Sequence, residues 1–291
     1  MNKEYMPQVL RFFVCILILL CIPSCTFGQP KEQQSTPDYT NWTTLTKGME
    51  YREIDAPVKS FIGDSKLSIL RMDPAMFRFD LFAATQYDSV AKDLYSWADT
   101  FDLLVAFNAG MYNLGRPLQS RAYLQSGNHI NNGKLLENFN LMLALGPKPN
   151  ANRSNIEVLD LTCSNWEQEK NNFTGFAQGL RMIDCNASPM NWQKKVQSCS
   201  MLVAAEDEKG WFYLIFTRSP YTHNQMIGFL KQMPGGIHDA IYLEGGPETS
   251  LLIDVNGHCI EKVGSWVSTT WERDDNNHFW RLPNIVGIRK Q

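Results

Sequence analysis

Familiar cofactor and metal signatures are missing from this sequence of 291 residues. It has no GxxxxGK[ST] run to cradle a phosphate, no HExxH helix, no GxSxG nucleophile elbow and no Rossmann glycine fingerprint. It therefore offers no motif for a nucleotide, a dinucleotide or a zinc-hydrolase centre, and no cofactor is assigned. Its five histidines are scattered, and each reads as a structural or surface residue, so no metal ligand is expected. Asp274-Asp275-Asn276-Asn277-His278 has the composition of a polar loop with spacing unlike a calcium hand. His223 stands apart because it opens a predicted helix. The cysteines of the body, Cys163, Cys185, Cys199 and Cys259, fit no CxxC zinc pattern. Export permits disulfides between them, and buried free thiols are the plainer expectation. A formal net charge of -3 supplies no basic field, so nucleic acid is not an expected partner. Internal repeats, low-complexity stretches and a second linker are also missing from the body.

Apolar material is abundant, with 44% hydrophobic and 12% aromatic residues, enough to bury one sizeable core. At the start, Lys3 and Arg11 precede an apolar run over 12–22, the charged region and short apolar core of an export signal. The run ends at Ile22-Pro23-Ser24-Cys25, which fits a bacterial lipobox with Cys25 lipidated. Cleavage after Thr26-Phe27-Gly28 is the competing pattern and would release a soluble protein. Residues 26–41 are polar, contain two prolines and lack periodicity, so they read as a flexible tether. These features predict a signal peptide over 1–25, a tether over 26–41 and a folded body over 42–291. They place the chain in a bacterial cell envelope, with a lipid anchor in the membrane on the periplasmic side or the outer surface.

Within the body, short β-branched or aromatic runs bounded by turn residues predict strands at 66–72, 76–83, 103–107, 141–145, 156–161, 201–205, 211–217, 240–243, 251–255 and 285–289. Helices are predicted at 88–98, with Val90, Leu94 and Trp97 on one face, and at 222–233 behind an N-cap at Thr222. The fold class expected is α+β: one domain rich in mixed β-sheet, with a few helices and a strand-helix-strand crossover before the Glu-Gly-Gly turn.

Three segments carry polar groups suited to chemistry. Phe107-Asn108-Ala109-Gly110-Met111-Tyr112, continuing to Arg121, puts the Asn108 amide and an approachable backbone at Gly110 beside a strand end. Taken alone, an ordinary Asn-Gly type turn in which Asn108 satisfies neighbouring backbone groups is the plainer reading. Gln178-Gly179-Leu180-Arg181 offers an amide for a sugar hydroxyl and a guanidinium for a phosphate; the plainer alternative pairs Arg181 with Asp184 at the surface. Leu243-Glu244-Gly245-Gly246-Pro247-Glu248-Thr249-Ser250 crowds two carboxylates and a hydroxyl around two glycines. Glycoside cleavage requires an acid for the leaving oxygen and a second group for water or for the oxocarbenium-like centre. A hairpin-like turn with solvated glutamates is the alternative.

Taken in order, the Asn-x-Gly segment, the lone arginine, and the strand, helix and acid-Gly-Gly-x-x-x-Ser turn resemble the phosphodiester glycosidase family. The residues from 200 to 253 match best, and Gly48 before Glu50-Tyr51 resembles the start of the family domain. Glu244 stands where the family more often has Asp, and Asn108-Ala109-Gly110-Met111 where it often has Asn-Gly-Gly-Phe. The resemblance implies cleavage of a sugar from a phosphodiester, with Glu244 and Arg181 catalytic and Asn108, Gly110, Gly245, Gly246 and Ser250 in substrate binding. The two-carboxylate reading of the turn adds Glu248 as a catalytic residue, and the amide reading of the middle segment adds Gln178 as a substrate-binding one. The function expected is a cell-envelope hydrolase acting on a glycan or sugar-phosphodiester substrate, and the alternative is a non-catalytic glycan-binding surface lipoprotein of the same fold.

Overall fold

Runs such as Phe212-Tyr213-Leu214-Ile215-Phe216 are apolar at every position and buried at every position, the mark of a strand covered on both faces. Which layers cover it follows from the computed structural model, which describes residues 37–113, 115–192 and 197–291. The expected signal segment, the lipidation residue Cys25 and residues 26–36 of the expected tether lie outside the described residues.

In chain order the strands are β1 (Thr43–Thr46), β2 (Met49–Asp55), β3 (Lys66–Met72), β4 (Phe77–Ala83), β5 (Val105–Asn108), β6 (Tyr112–Asn113), β7 (Arg116–Ser120), β8 (Leu124–Ser126) and β9 (His129–Asn132). They continue as β10 (Leu141–Pro147), β11 (Ile156–Asp160), β12 (Phe173–Ile183), β13 (Ser198–Asp207), β14 (Phe212–Thr222), β15 (Ile237–Gly245), β16 (Ser250–Val255), β17 (His258–Val263) and β18 (Asn284–Lys290). The helices are α1 (Leu94–Phe101), α2 (Trp166–Glu169) and α3 (His223–Leu230).

A large sheet runs in the order β1-β2-β3-β14-β13-β15-β12-β10-β11, with β8 added against β12 and β9 against β8. A smaller sheet runs β17-β16-β5-β18-β4, and β6 with β7 forms a separate ribbon. The sheets pack face to face: Phe79, Phe107 and Val286 of the smaller one meet Leu70, Leu202 and Leu214 of the larger in one buried cluster. The back of the large sheet is covered by α3, where Met226 and Leu230 pack with Ile69, Val203 and Tyr213. The back of the smaller sheet is covered by α1, through Leu94 and Trp97 against Phe82, Ala106 and Ile285. The described body is thus a single-domain α+β fold of mostly antiparallel sheet.

Every predicted strand has a counterpart, whereas the helices differ in extent. The first begins at Leu94, six residues later than 88–98 implies, because Asp88 accepts from the Val90 N–H and the Lys92 ammonium while Ser89 takes a left-handed conformation (φ 57°). Asp93 then caps the helix by accepting from the Ser96 N–H, and Val90 is left exposed. Thr222 caps α3 as expected, in a capping box with Gln225. Both β14 and β15 pair antiparallel with β13, which lies between them, so the strands before and after α3 run parallel to each other. The free-thiol expectation fails for one pair. Cys163 and Cys185 form a disulfide, while Cys199 is buried and free and Cys259 exposed and free.

Candidate functional site

The segment Glu244 to Ser250 is a bridge between the two sheets, not the hairpin-like turn that its glycines allow. β15 ends in the large sheet, Gly246–Glu248 makes one 3-10 turn, and Ser250 opens β16 in the smaller sheet. Against β13 the ladder pairs Leu202 with Glu244 and Val203 with Tyr242, leaving Leu243 as an extra residue in β15. Such a bulge re-aims the side chains that follow it. Packing restricts Gly245 to glycine: a Cβ there would collide with the Tyr242 hydroxyl and lie 2.8 Å from Cys199 Sγ and 3.0 Å from the Ser200 carbonyl oxygen. Gly246 follows with a left-handed backbone (φ 79°), turning the chain toward the smaller sheet.

The first motif meets this bridge. Asn108, buried at the end of β5, accepts from the Ser250 N–H through Oδ1 at 3.0 Å, tying residues 142 apart in sequence. Its Nδ2 is buried without a hydrogen-bond partner among the described residues. Gly110 comes close to the middle of β12 and the end of β15, so that a Cβ on it would stand 3.8 Å from the carbonyl oxygens of both Gln178 and Leu243. Tyr112 donates its hydroxyl to Glu248 Oε1 at 3.3 Å.

Burial dominates the electrostatics. It pushes the Glu244 carboxyl up to about 8, helped by the like charge of Glu248 and opposed by the Gly245 N–H, which donates to Oε1 at 2.9 Å, and by the Arg121 guanidinium. Glu248 is also raised by burial, with a backbone N–H and the Tyr112 hydroxyl working the other way. The Tyr112 phenol is raised by burial and then by both glutamates, so it stays a neutral donor. Tyr242 is held well above its ordinary value by burial, and the Cys199 thiol is raised to about 12 by the same cause. The site thus presents two carboxyls, of which one keeps its proton at neutral pH, a neutral phenol, a guanidinium and a buried amide.

The middle motif is used differently. Arg181 donates through Nη1 to Asp160 at 2.9 Å and to Thr162 Oγ1 at 3.0 Å, and Asp160 is buried. Its ion-pair partner is therefore Asp160, not Asp184, because β11 ends beside β10 and brings that carboxylate within reach. It is held below its ordinary value by Thr162 and Arg181 against the opposing effect of burial. Gln178 is buried with all its amide bonds made: Oε1 accepts from the N–H groups of Tyr123 and Leu136, and Nε2 donates to the carbonyls of Leu136 and Phe139. It holds the 136–139 loop onto β12 and offers a ligand no free amide atom. The Ser250 hydroxyl, also buried, donates to the Glu248 carbonyl. Asn108, Gly110, Glu244, Gly245, Gly246, Glu248 and Ser250 therefore come together, whereas the side chains of Arg181 and Gln178 are engaged elsewhere.

Tyr112 and Arg121 are the additions the structure makes. Both stand inside or at the end of the first motif, so the signal lay in continuing past Gly110 along it. Tyr242 and Cys199 had no such signal, since an apolar strand conceals which of its residues back a turn. His223 stacks on Trp192, with ring centroids 3.8 Å apart and planes within 5°, and burial lowers it to about 4, leaving it neutral. A cleft of about 490 Å³ lies elsewhere, lined by Arg116, Leu118, His129 and Ile130 among others and by neither glutamate.

No helix among the described residues is long and apolar enough to cross a membrane. No family model matches the chain, and no curated protein matches it in sequence. Solved structures do. The zebrafish N-acetylglucosamine-1-phosphodiester alpha-N-acetylglucosaminidase catalytic domain, auto-inhibited by its pro-peptide, aligns over 89% of this chain and 87% of its own at 14% identity, with a TM-score of 0.53. A hypothetical protein from Synechocystis aligns over 86% of this chain and 63% of its own at 12% identity, with a TM-score of 0.58. The chain shares its fold with these proteins as a distant structural relative.

Proposed function

We propose that this protein is a hydrolase of the cell envelope that cleaves a glycosyl phosphodiester, with Glu244 as general acid and Glu248 as general base. The observation that carries the reading is the pair of half-buried carboxyls on one inter-sheet bridge, one of them raised to about 8 by burial and by its neighbour. Two carboxyls in unequal surroundings divide acid and base roles between them. Water attacks the anomeric carbon as the bond from that carbon to the phosphate oxygen breaks. Glu248 takes the proton from water, Glu244 gives its proton to the departing oxygen, and the products are a free sugar and a phosphate monoester. The fold likeness to a phosphodiester glycosidase supports the same substrate class.

Arg121 is the basic group assigned to the phosphate in place of Arg181, whose guanidinium is already paired with Asp160, because Arg121 is the cation whose field reaches Glu244. Asn108, whose buried amide N–H₂ has no acceptor among the described residues, is the amide assigned to a sugar or phosphate oxygen. The exported, lipid-anchored setting belongs to the same proposal and rests on the lipobox-like Cys25.

Turnover of a panel of sugar-1-phosphodiesters, followed by release of free sugar, tests this. Glu244→Gln should lower kcat by roughly a hundredfold to ten-thousandfold, the scale for losing a general acid or base. Arg121→Ala should raise KM as well as lower kcat. Wild-type binding of a glycan ligand without turnover would leave only the binding-protein reading, and a fully active Glu244→Gln would remove Glu244 from the mechanism.

A further inference from the structure

At the opposite end of β15, three ligating side chains meet away from the glutamates of the bridge. The β13–β15 ladder pairs Ala205 with Ala240 and Glu206 with His238, so Asp239 is an extra residue, held at φ 40°. In a regular strand His238 and Asp239 would face opposite sides of the sheet. The bulge brings both toward Glu206, and one donor atom from each of the three residues lies within 4.8 Å of the others.

We propose that Glu206, His238 and Asp239 form a divalent-cation site of the imidazole-carboxylate kind, with zinc the best-suited ion. His238 Nε2 stands 3.2 Å from the Asp207 carbonyl oxygen, to which it donates. Nδ1 gives its proton to Asp239 Oδ2 at 2.8 Å, so a cation binding here takes the place of that proton between the imidazole and the carboxylate. A ring N–H given to a backbone carbonyl is the usual outer support of a metal-bound imidazole. Asp239 is only 8% exposed, and its Oδ1 is buried without a hydrogen-bond partner among the described residues. A carboxylate oxygen desolvated and unpaired is costly, and a cation between it and Glu206 offsets that cost. Glu206 is oriented by the Val158 N–H, which donates to Oε1 at 3.1 Å.

The charges facing the trio leave it short of positive charge. Glu157 adds a negative field to Glu206 and is itself tied to Arg153, while Asp207 is bonded to the Tyr213 hydroxyl and to backbone N–H groups. Asp239 has the His238 imidazole as its ion-pair partner, and neither it nor Glu206 has a lysine or arginine partner among the described residues. One imidazole and two carboxylates match zinc-type N/O coordination at about 2.0–2.2 Å, which needs donors about 3.3 Å apart; contacts as long as 4.8 Å must close by up to about 1.5 Å, and the 2.8 Å pair of His238 Nδ1 and Asp239 Oδ2 must open slightly. Calcium requires about six to eight oxygens and is poorly served by three residues. The His238 side chain is 29% exposed, which gives an ion a way in.

Metal-free protein with its accessible thiols alkylated, so that exposed Cys259 beside His258 does not contribute, should be titrated with zinc by calorimetry. Metal content after dialysis, and the absorption bands of the cobalt-loaded form, give independent readouts. Saturable binding of a single equivalent to the wild type is expected, with a rise in Tm on loading. His238→Ala and Asp239→Asn should each lose at least tenfold in affinity, whereas Glu244→Gln should bind as the wild type does. Lack of saturable binding to the wild type overturns the proposal even where the variants fail to fold, as does binding that both variants retain undiminished.

Discussion

β15 carries an extra residue at each end, Asp239 near its start and Leu243 near its close, and beside each bulge a half-buried carboxyl lies in the field of a second acid. Burial pushes Glu244 up to about 8 with Glu248 adding to the effect, and pushes Glu206 up to about 8 with Glu157 adding to it. What differs is the company. Around Glu244 stand two glycines, the Tyr112 phenol, a guanidinium and an unpaired amide. Beside Glu206 stand an imidazole and the Asp239 carboxylate, with one donor atom of each residue within 4.8 Å of the others. A raised carboxyl alone is therefore a poor guide to role. Neutral donors and open backbone leave a proton to be used in chemistry, while an imidazole with a second carboxylate invites a cation.

The comparison is broken most strongly by removing the disulfide. Cys163–Cys185 closes a 22-residue separation, and the turn it anchors includes Asp184, whose carbonyl accepts the Asp239 N–H at 3.4 Å. Replacing both cysteines by serine should cost about 3 kcal/mol, by the loop-closure relation. Thermal unfolding reads the loss, and hydrogen exchange should show the amides around Asp184 and Asp239 losing more protection than the global loss shared with the Glu244 end. Equal loss of protection at both ends would show that the two ends are not separable.

A smaller effect sharpens the other end. Gly245→Ala places a methyl against Tyr242, Cys199 and the Ser200 carbonyl, and should destabilise by about 1–3 kcal/mol as overpacking does. The Glu244–Glu248 arrangement should shift with it, so the pH profile of turnover should change while zinc binding stays as it was. An unchanged Tm would mean that the bridge has room the structure does not show.

The smallest expected effect is a pH dependence. Because the folded pKa of Glu244 is raised above its unfolded value, the native state binds more protons than the unfolded one between the ordinary carboxylate range and about 8. Its contribution to stability is fully present at the acid side of that window and is lost as pH rises through it. Glu244→Gln should therefore gain in Tm relative to wild type between pH 5 and pH 8.5, by at least the roughly 2–4 °C that 1 kcal/mol produces in a domain of this size. Parallel Tm profiles for the two proteins would place Glu244 in water.

The strand pattern and the capping of α3 were legible because they rest on local chemistry: apolar runs between turn residues, and Thr222 followed three residues later by Gln225. β12 was not read as a strand, since Gly175, Ala177 and Gly179 lower its β-propensity. Tertiary packing demands that smallness, as a Cβ at Gly179 would sit 2.8 Å from the Tyr242 carbonyl oxygen and the Ile241 side chain. Of the site, the acid-Gly-Gly turn and the Asn108 segment were visible as local groupings of polar side chains and glycines. That they share one place depends on a hydrogen bond across 142 residues, which no local pattern encodes. The sequence alone determined which side chains are available, which runs are apolar and where the backbone can turn, because these are properties of single residues and near neighbours. Only the tertiary structure decided that Arg181 belongs to Asp160, that Gln178 belongs to a loop and that the ends of β15 face different partners, because ladder register, bulges and burial are set by segments far apart in the chain.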